Sequence, residues 1–188
     1  MASFYVIISM YYLFQLLFIV SLWENNSPKS TANSKEKRIL WMENQYPTWS
    51  DYKGKPKNNG MVAETSTIIE ISFGVKNGVV FTKVNCAFLP LNSWVHEKQK
   101  SDYILKHELL HFDITELYAR KLRKRFASEI KTEKDYPKIN KIYREIISEW
   151  QNKQQQYDGE TNHSINKDAQ ILWNEEIAND LELMLDYK

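Results

Sequence analysis

A short stretch with two histidines and a glutamate lies inside a long predicted helix, and it constrains this chain more than any other feature. The stretch reads His107-Glu108-Leu109-Leu110-His111. Ser101 is a suitable N-cap, and apolar residues then recur at helical spacing; the stripe comprises Leu105, Leu109, Phe112, Ala119, Leu122, Phe126 and Ile130. Because residues four apart share one face of a helix, the two imidazoles must point the same way.

Two imidazoles on one helical face are a typical pair of zinc ligands. Glu108 would lie beside such an ion without binding it, where a carboxylate can act as general base toward a bound water. The other interpretation is a surface helix with two unrelated histidines. The position of the motif among core leucines argues against it, as does the small number of histidines, 4 in the whole chain. The motif therefore predicts a Zn²⁺ site that still lacks a third ligand.

The third ligand must come from outside the motif. A catalytic zinc ion needs three protein ligands, and the extension that would supply one on the same helix is absent, since Ile114 and Leu117 replace its glycine and histidine. The remaining candidates are His163, His96, Asp113, Glu116, Asp158 and Glu160. On a straight helix Asp113 and Glu116 are aimed away from the ligand face. His163 lies in a turn-rich segment, 157–163, where a capping or solvent-exposed histidine is an equally good explanation.

Strand patterns precede the motif and helix patterns follow it. Residues 67–73 alternate and are rich in β-branched side chains, Asn77-Gly78 is a type I′ hairpin signal, and 79–88 supplies the partner strand. The motif helix is expected to continue to about residue 131. A second helix runs from Tyr136-Pro137 to a stop at Gly159, and a third spans 166–185 with Ala169, Leu172, Trp173, Ile177, Leu181 and Met184 facing inward. The predicted fold class is α+β, a small antiparallel sheet followed by three helices.

The chain of 188 residues suits one folded domain, predicted to span 39–188 after a polar linker at 24–38. Within residues 1–23, the stretch from Phe4 to Trp23 is almost continuously apolar. Its position predicts a signal peptide or a signal anchor, and hence an extracytoplasmic location, whether secreted, periplasmic or membrane-anchored.

Charge and cysteine content exclude several classes of protein. The net charge of +1 implies no strong attraction to nucleic acid. The single cysteine, Cys86, excludes an internal disulfide framework and a multi-cysteine zinc site. A basic stretch at 120–125 is interpreted as a solvated helix face, with a site for an acidic partner as the alternative.

Six separated pieces of the chain carry a family resemblance: residues 49–54, 63–65, 93–95, 105–114, 157–163 and 170–173. They resemble the domain-of-unknown-function 922 (DUF922) family of predicted secreted zinc-dependent proteases. Two departures concern positions where the family tends to have glycine, which here are Leu110 and Ser164. The resemblance implies a zinc-peptidase-like site and export, and it raises His163 above the other third-ligand candidates.

Together these observations predict an exported zinc-dependent hydrolase, a metallopeptidase with a zincin-like helix. Its zinc ligands would be His107, His111 and His163, its catalytic base Glu108, and its substrate a peptide or protein held along an edge of the 67–88 hairpin. Two alternatives are a non-catalytic zinc-binding module, closed by a fourth ligand such as Asp158 or Glu160, and a membrane-anchored interaction domain without metal.

Overall fold

The computed structural model describes residues 38–188. The apolar segment at 1–23 and the linker up to residue 37 lie outside this part, so the signal peptide or signal anchor stays a prediction. Between residues 38 and 188, no helix combines the length and apolar character needed to cross a membrane.

The described residues form two small antiparallel sheets followed by three helices, so the predicted α+β arrangement is confirmed. Strands β1, β4 and β3 make the larger sheet in that order, and β2 pairs with β5 in the smaller one. The strands are β1 (Ile39–Leu40), β2 (Ala63–Glu64), β3 (Thr67–Lys76), β4 (Val79–Phe88) and β5 (Trp94–Val95). The helices are α1 (Asp102–Glu129), α2 (Tyr136–Thr161) and α3 (Lys167–Leu183).

The predicted hairpin is formed by β3 and β4, which pair over their whole length from Thr67 opposite Phe88 to Lys76 opposite Val79. Asn77 and Gly78 join the strands with φ angles of 53° and 77°. Positive φ at both central residues is the geometry of a type I′ turn, which matches the right-handed twist of the strands. The Asn-Gly signal therefore fixes the register of the sheet on which the motif helix packs.

Helix α1 forms the centre of the domain. Its N-cap is Ser101, whose side chain accepts a hydrogen bond from the backbone of Ile104, as predicted. Phe112, Ile114 and Leu122 are fully buried at 0% exposure. The helix contacts β3 and β4 as well as α2 and α3. Because neighbours surround α1, the motif residues His107 and Glu108 are buried, at 4% and 5% exposure.

Helix α2 does not stop at the predicted glycine. It passes through Gly159 and ends at Thr161, with Asn162 in the left-handed conformation as its C-cap. Tyr157 and Thr161 are fully buried, and this packing outweighs the roughly 1 kcal/mol that glycine costs inside a helix. Asp158 therefore lies on a helix, not in the turn-rich loop that the sequence predicted.

Two further predictions need correction. In α3, Trp173 and Ile177 are buried as expected, but Leu172 is 66% exposed because it lies on the outer face of the helix. In the basic stretch, Arg120 is not solvated: it is buried and pairs with Glu116, Nε to Oε1, at 3.0 Å. Arg120 also donates to the main-chain oxygen of Leu181, so it ties the end of α3 to α1.

Candidate metal centre

The two motif histidines lie side by side near the start of α1, as the spacing predicts. Their ring centroids are 5.1 Å apart. The imidazole of His107 is 5% exposed and that of His111 is 13% exposed. Both rings contact Tyr157 of α2: His107 stacks on it with a centroid distance of 4.7 Å, and His111 meets it edge-on at 4.8 Å. Packing against α2 therefore fixes the orientation of both rings.

Asp158 completes a group of three side chains that could hold a metal ion. One donor atom from each of His107, His111 and Asp158 lies within 4.8 Å of the other two. Oδ1 of Asp158 is 3.5 Å from Nε2 of His107 and 3.2 Å from Nε2 of His111. Because Asp158 directly follows Tyr157, the packing that orients the rings also places the carboxylate.

These distances fit a metal site. Donor atoms that each lie about 2.0–2.2 Å from a tetrahedral ion are about 3.3–3.6 Å apart. The two separations from Asp158 Oδ1, 3.5 and 3.2 Å, have this size. Oδ1 is also buried and has no hydrogen-bond partner within residues 38–188. Two imidazole nitrogens and one carboxylate oxygen are a typical ligand set for a divalent transition metal.

The electrostatics of the group favour a positive charge between these side chains. Burial opposes ionisation of Asp158, but the two neighbouring imidazoles more than offset it and lower the pKa of the carboxyl well below its usual value. Burial likewise disfavours charged His111, yet contact with Asp158 and the charges of Asp158 and Glu108 raise the pKa of His111. The negative potential that attracts a proton here would also attract a divalent cation.

Glu108 lies next to this group and has an unusual environment. It is 5% exposed, and its Oε2 atom is buried without a hydrogen-bond partner among the described residues. Leaving a buried carboxylate oxygen unpaired costs free energy, about 1–3 kcal/mol or more. The residue lines the same cavity as His107 and His111. Glu108 is therefore placed to bind or exchange a proton with something that enters the cavity.

The predicted ligand His163 lies just outside the three-residue group. Its Nδ1 atom is 3.5 Å from Oδ1 of Asp158, and its side chain is 58% exposed. Asn162, His163 and Ser164 all have positive φ angles, of 47°, 49° and 74°, which accounts for a glycine preference at the last of these positions. The structure thus brings His163 to the same carboxylate as the motif histidines, on a sharply turned segment.

The other candidate ligands have different partners. Asp113 accepts hydrogen bonds from Trp41 and Tyr46, and burial raises the pKa of its carboxyl to about 6. Glu116 lies in the ion pair with Arg120. His96 makes an edge-on contact with the ring of Trp94. Glu160 accepts a hydrogen bond from the indole N–H of Trp173. The prediction that Asp113 and Glu116 point away from the ligand face is confirmed.

A cavity of about 1240 Å³ opens onto the group. His107, Glu108, His111, Asp158 and His163 line one part of it. Other lining residues come from the segment 55–67, which includes β2, and from the segment 89–94 before and within β5. Most of the hairpin lies elsewhere, since only its ends near Thr67 and Leu89 reach the cavity.

Two site residues were missed from the sequence, namely Gln154 and Gln170. Oε1 of Gln154 is 2.5 Å from Nδ1 of His111, and Oε1 of Gln170 is 2.8 Å from Nδ1 of His107. A signal was present: Gln154 continues the apolar stripe of α2 between Trp150 and Tyr157. A polar side chain at a buried stripe position needs hydrogen-bond partners inside the protein, and this requirement marks it for attention.

Comparison with known families agrees with the resemblance inferred from the motifs. Residues 90–164 match the family described as a bacterial protein of unknown function, DUF922. The matched segment contains both motif histidines, Glu108, Asp158 and His163, so the similarity to this family covers the part of the chain that carries the candidate metal ligands. No curated protein and no solved structure matches the chain.

Proposed function

We propose that this domain is a zinc-dependent peptidase. His107, His111 and Asp158 bind the metal, and Glu108 is the general base and then the general acid. The single observation that carries the proposal is the position of Glu108: a buried carboxylate with an unpaired oxygen lies beside a metal-ligand group at the wall of a large cavity. A purely structural metal site does not require such a carboxylate.

Zinc fits the donor set better than other common metals. Two imidazoles with one carboxylate are an established ligand set for catalytic zinc, whereas magnesium and calcium prefer oxygen ligands alone. When bound, zinc lowers the pKa of water to about 7 and polarises a carbonyl group. Within residues 38–188, the single thiol, that of Cys86, is buried in the core and is unavailable as a ligand.

The protein's own residues supply the proton transfers. Glu108 accepts a proton from the attacking water and holds it on a carboxylate oxygen. It then delivers this proton to the nitrogen of the leaving amine as the carbon–nitrogen bond breaks. Burial of Glu108 excludes bulk water from this path, since the residue is only 5% exposed. Positioned acid–base groups of this kind contribute about 10²- to 10⁴-fold in rate.

The shape of the cavity supports an extended peptide as substrate. Strand β2 pairs with β5, Ala63 opposite Val95 and Glu64 opposite Trp94. Among residues 38–188 it pairs with no other strand. Residues 61–67 line the cavity together with the metal group. A strand edge without a strand partner can pair with the main chain of a peptide, which supports the β2 segment, in place of the hairpin, as the edge that binds substrate.

The test combines metal content with hydrolysis of unstructured peptides by the full chain. We expect about one zinc per chain in the wild type and in Glu108→Gln, with turnover reduced about 10²- to 10⁴-fold in the variant. Glu175→Gln, at an exposed position on α3, is the control and should retain full turnover. A zinc-loaded wild type whose turnover survives the Glu108 substitution would refute the mechanism.

One observation favours a second candidate, a closed and non-catalytic zinc site. His163 Nδ1 is near enough to Asp158, at 3.5 Å, to supply a fourth protein ligand. A site with four protein ligands supports folding and leaves no position for water. The absorption spectrum of the cobalt-substituted protein separates the two candidates. A spectrum unchanged by added inhibitory anions would support the closed site, and a shifted spectrum would support the open one.

A further inference from the structure

Two buried glutamines contact the motif histidines, and neither has a role in the proposed reaction. Gln154 of α2 is 8% exposed and Gln170 of α3 is 2% exposed. Each faces the Nδ1 atom of one motif histidine, on the side of the ring opposite to Asp158. Burying a primary amide costs free energy unless both its ends are hydrogen-bonded, so the partners of each amide define its role.

The orientation of the Gln154 amide is fixed by its neighbours. Its Nε2 donates to the main-chain oxygen of His111 at 2.9 Å and to Oγ1 of Thr115 at 3.2 Å. A main-chain carbonyl can only accept, so the amide nitrogen must face it. Oε1 therefore faces Nδ1 of His111, and because this oxygen can only accept, Nδ1 must carry a proton. In the neutral ring the lone pair is then on Nε2, which points toward Asp158.

Gln170 makes a matching arrangement around His107. Its Oε1 accepts from the hydroxyl of Tyr157 at 2.6 Å and lies 2.8 Å from Nδ1 of His107. Its Nε2 donates to Oδ1 of Asn174 at 2.9 Å. The Tyr157 hydroxyl also lies 3.1 Å from the main-chain oxygen of His107. The His107 ring is thus held at its edge by an amide and at its face by the phenol.

We propose that Gln154 and Gln170 are positioning residues that hold both metal-binding imidazoles with the proton on Nδ1 and the lone pair of Nε2 directed at the metal. This inference rests on the proposed metal site and extends it to residues on α2 and α3. A carboxylate often takes this position behind a zinc ligand. Here a neutral amide provides the acceptor without adding to the negative charge of Glu108 and Asp158.

The test measures zinc affinity of the full chain by competition with a chelator. Gln154→Met and Gln170→Met keep the length of the side chain but remove the acceptor. We expect zinc affinity to fall about 10- to 100-fold in each, as for loss of other partners of ligand histidines. Gln156→Met, at an exposed position on the same helix as Gln154, is the matched control and should leave affinity unchanged.

Two glutamate variants separate a positioning role from simple packing. Gln170→Glu keeps an oxygen acceptor for His107 and Tyr157, and Asn174 can turn its amide to donate to the second oxygen, so zinc binding should be restored. Gln154→Glu places an oxygen against the carbonyl of His111, which cannot donate, so zinc binding should stay weak. A packing role predicts no such asymmetry between the two positions.

The outcomes distinguish this inference from the proposed function. A wild type that binds no zinc overturns the proposed function and this inference together. A wild type that binds zinc, with equal affinity in both methionine variants, overturns the inference alone. If Gln154→Met does not fold, as judged by its circular dichroism without metal, the comparison of Gln170→Met with Gln170→Glu decides. Weak binding in the first and restored binding in the second supports the inference.

Discussion

Asp158 and His163 are close in sequence, but the backbone holds them differently. Asp158 belongs to the last turns of α2, between the fully buried residues Tyr157 and Thr161. His163 follows the end of the helix on left-handed backbone, with a mostly exposed side chain. A ligand on packed helix loses less conformational freedom when it binds a metal than one on an exposed turn. At the scale of single residues, this difference favours Asp158 as the third ligand.

The choice of third ligand gives a direct prediction. Asp158→Ala should lower zinc affinity by at least about 100-fold, the upper end of what outer partners of a ligand contribute. His163→Ala should lower it less than about 10-fold, since its side chain is mainly in solvent. Both are measured by chelator competition on the full chain. The reverse order would restore His163 as the third ligand, as the motifs originally implied.

The sequence could predict part of this candidate site because two of its potential ligands share one helix. The spacing of His107 and His111 alone places both rings on one face, wherever the helix packs. The identity of the third ligand depends on where α2 ends. Gly159 wrongly predicts that the helix ends at this glycine. The roles of Gln154 and Gln170 depend on contacts between different helices. A local sequence pattern does not predict which residues of different helices come into contact.

At the scale of elements, the end of α2 decides the geometry of the site. Gly159 lies inside the helix with a negative φ, and a Cβ added there would meet nothing within 4 Å. The helix carries both Asp158, on the metal side, and Thr161, whose hydroxyl donates back to the main-chain oxygen of Tyr157 at 2.7 Å. Continuation of the helix past its glycine thus fixes the direction of the Asp158 side chain.

Gly159→Ala tests this continuation. Alanine in a compatible helical conformation should stabilise the metal-free protein by about 0.4–1 kcal/mol, because it reduces the freedom of the unfolded chain. Gly78→Ala is the matched control and should destabilise, since Gly78 has a φ of 77°. Urea denaturation in the presence of a chelator measures both. A Gly159→Ala protein less stable than wild type would show that the helix stops at the glycine.

At the scale of the whole molecule, the candidate metal ligands and the glutamines that contact them come from elements that are distant in sequence. His107 and His111 come from the start of α1, Asp158 from the end of α2, and Gln170 from α3. The antiparallel arrangement of strands and the order of the helices were predicted correctly, because turn signals and apolar stripes are local. The contacts among the three helices were not predicted, because they depend on how side chains pack between elements.

Removal of the metal should therefore weaken the whole domain. A ligand present at 1,000 times its dissociation constant stabilises the folded state by about 4 kcal/mol. For a domain of this size, 1 kcal/mol shifts the melting temperature by about 2–4 °C, so a chelator should lower it by roughly 8–16 °C. Calorimetry of the full chain with and without chelator measures the shift, and Glu108→Gln should show it equally. An unchanged melting temperature would argue against any bound metal.

The burial of both imidazoles against Tyr157 has a kinetic consequence. Both rings pack against Tyr157 of α2, and their side chains are only 5% and 13% exposed. An ion held there cannot leave by the swing of one exposed side chain, because two of its three ligands are fixed within packed helices. The rate at which the bound ion exchanges with solvent should follow the rate at which the contact between α1 and α2 opens. The residence time of the ion would therefore measure the frequency of this local opening.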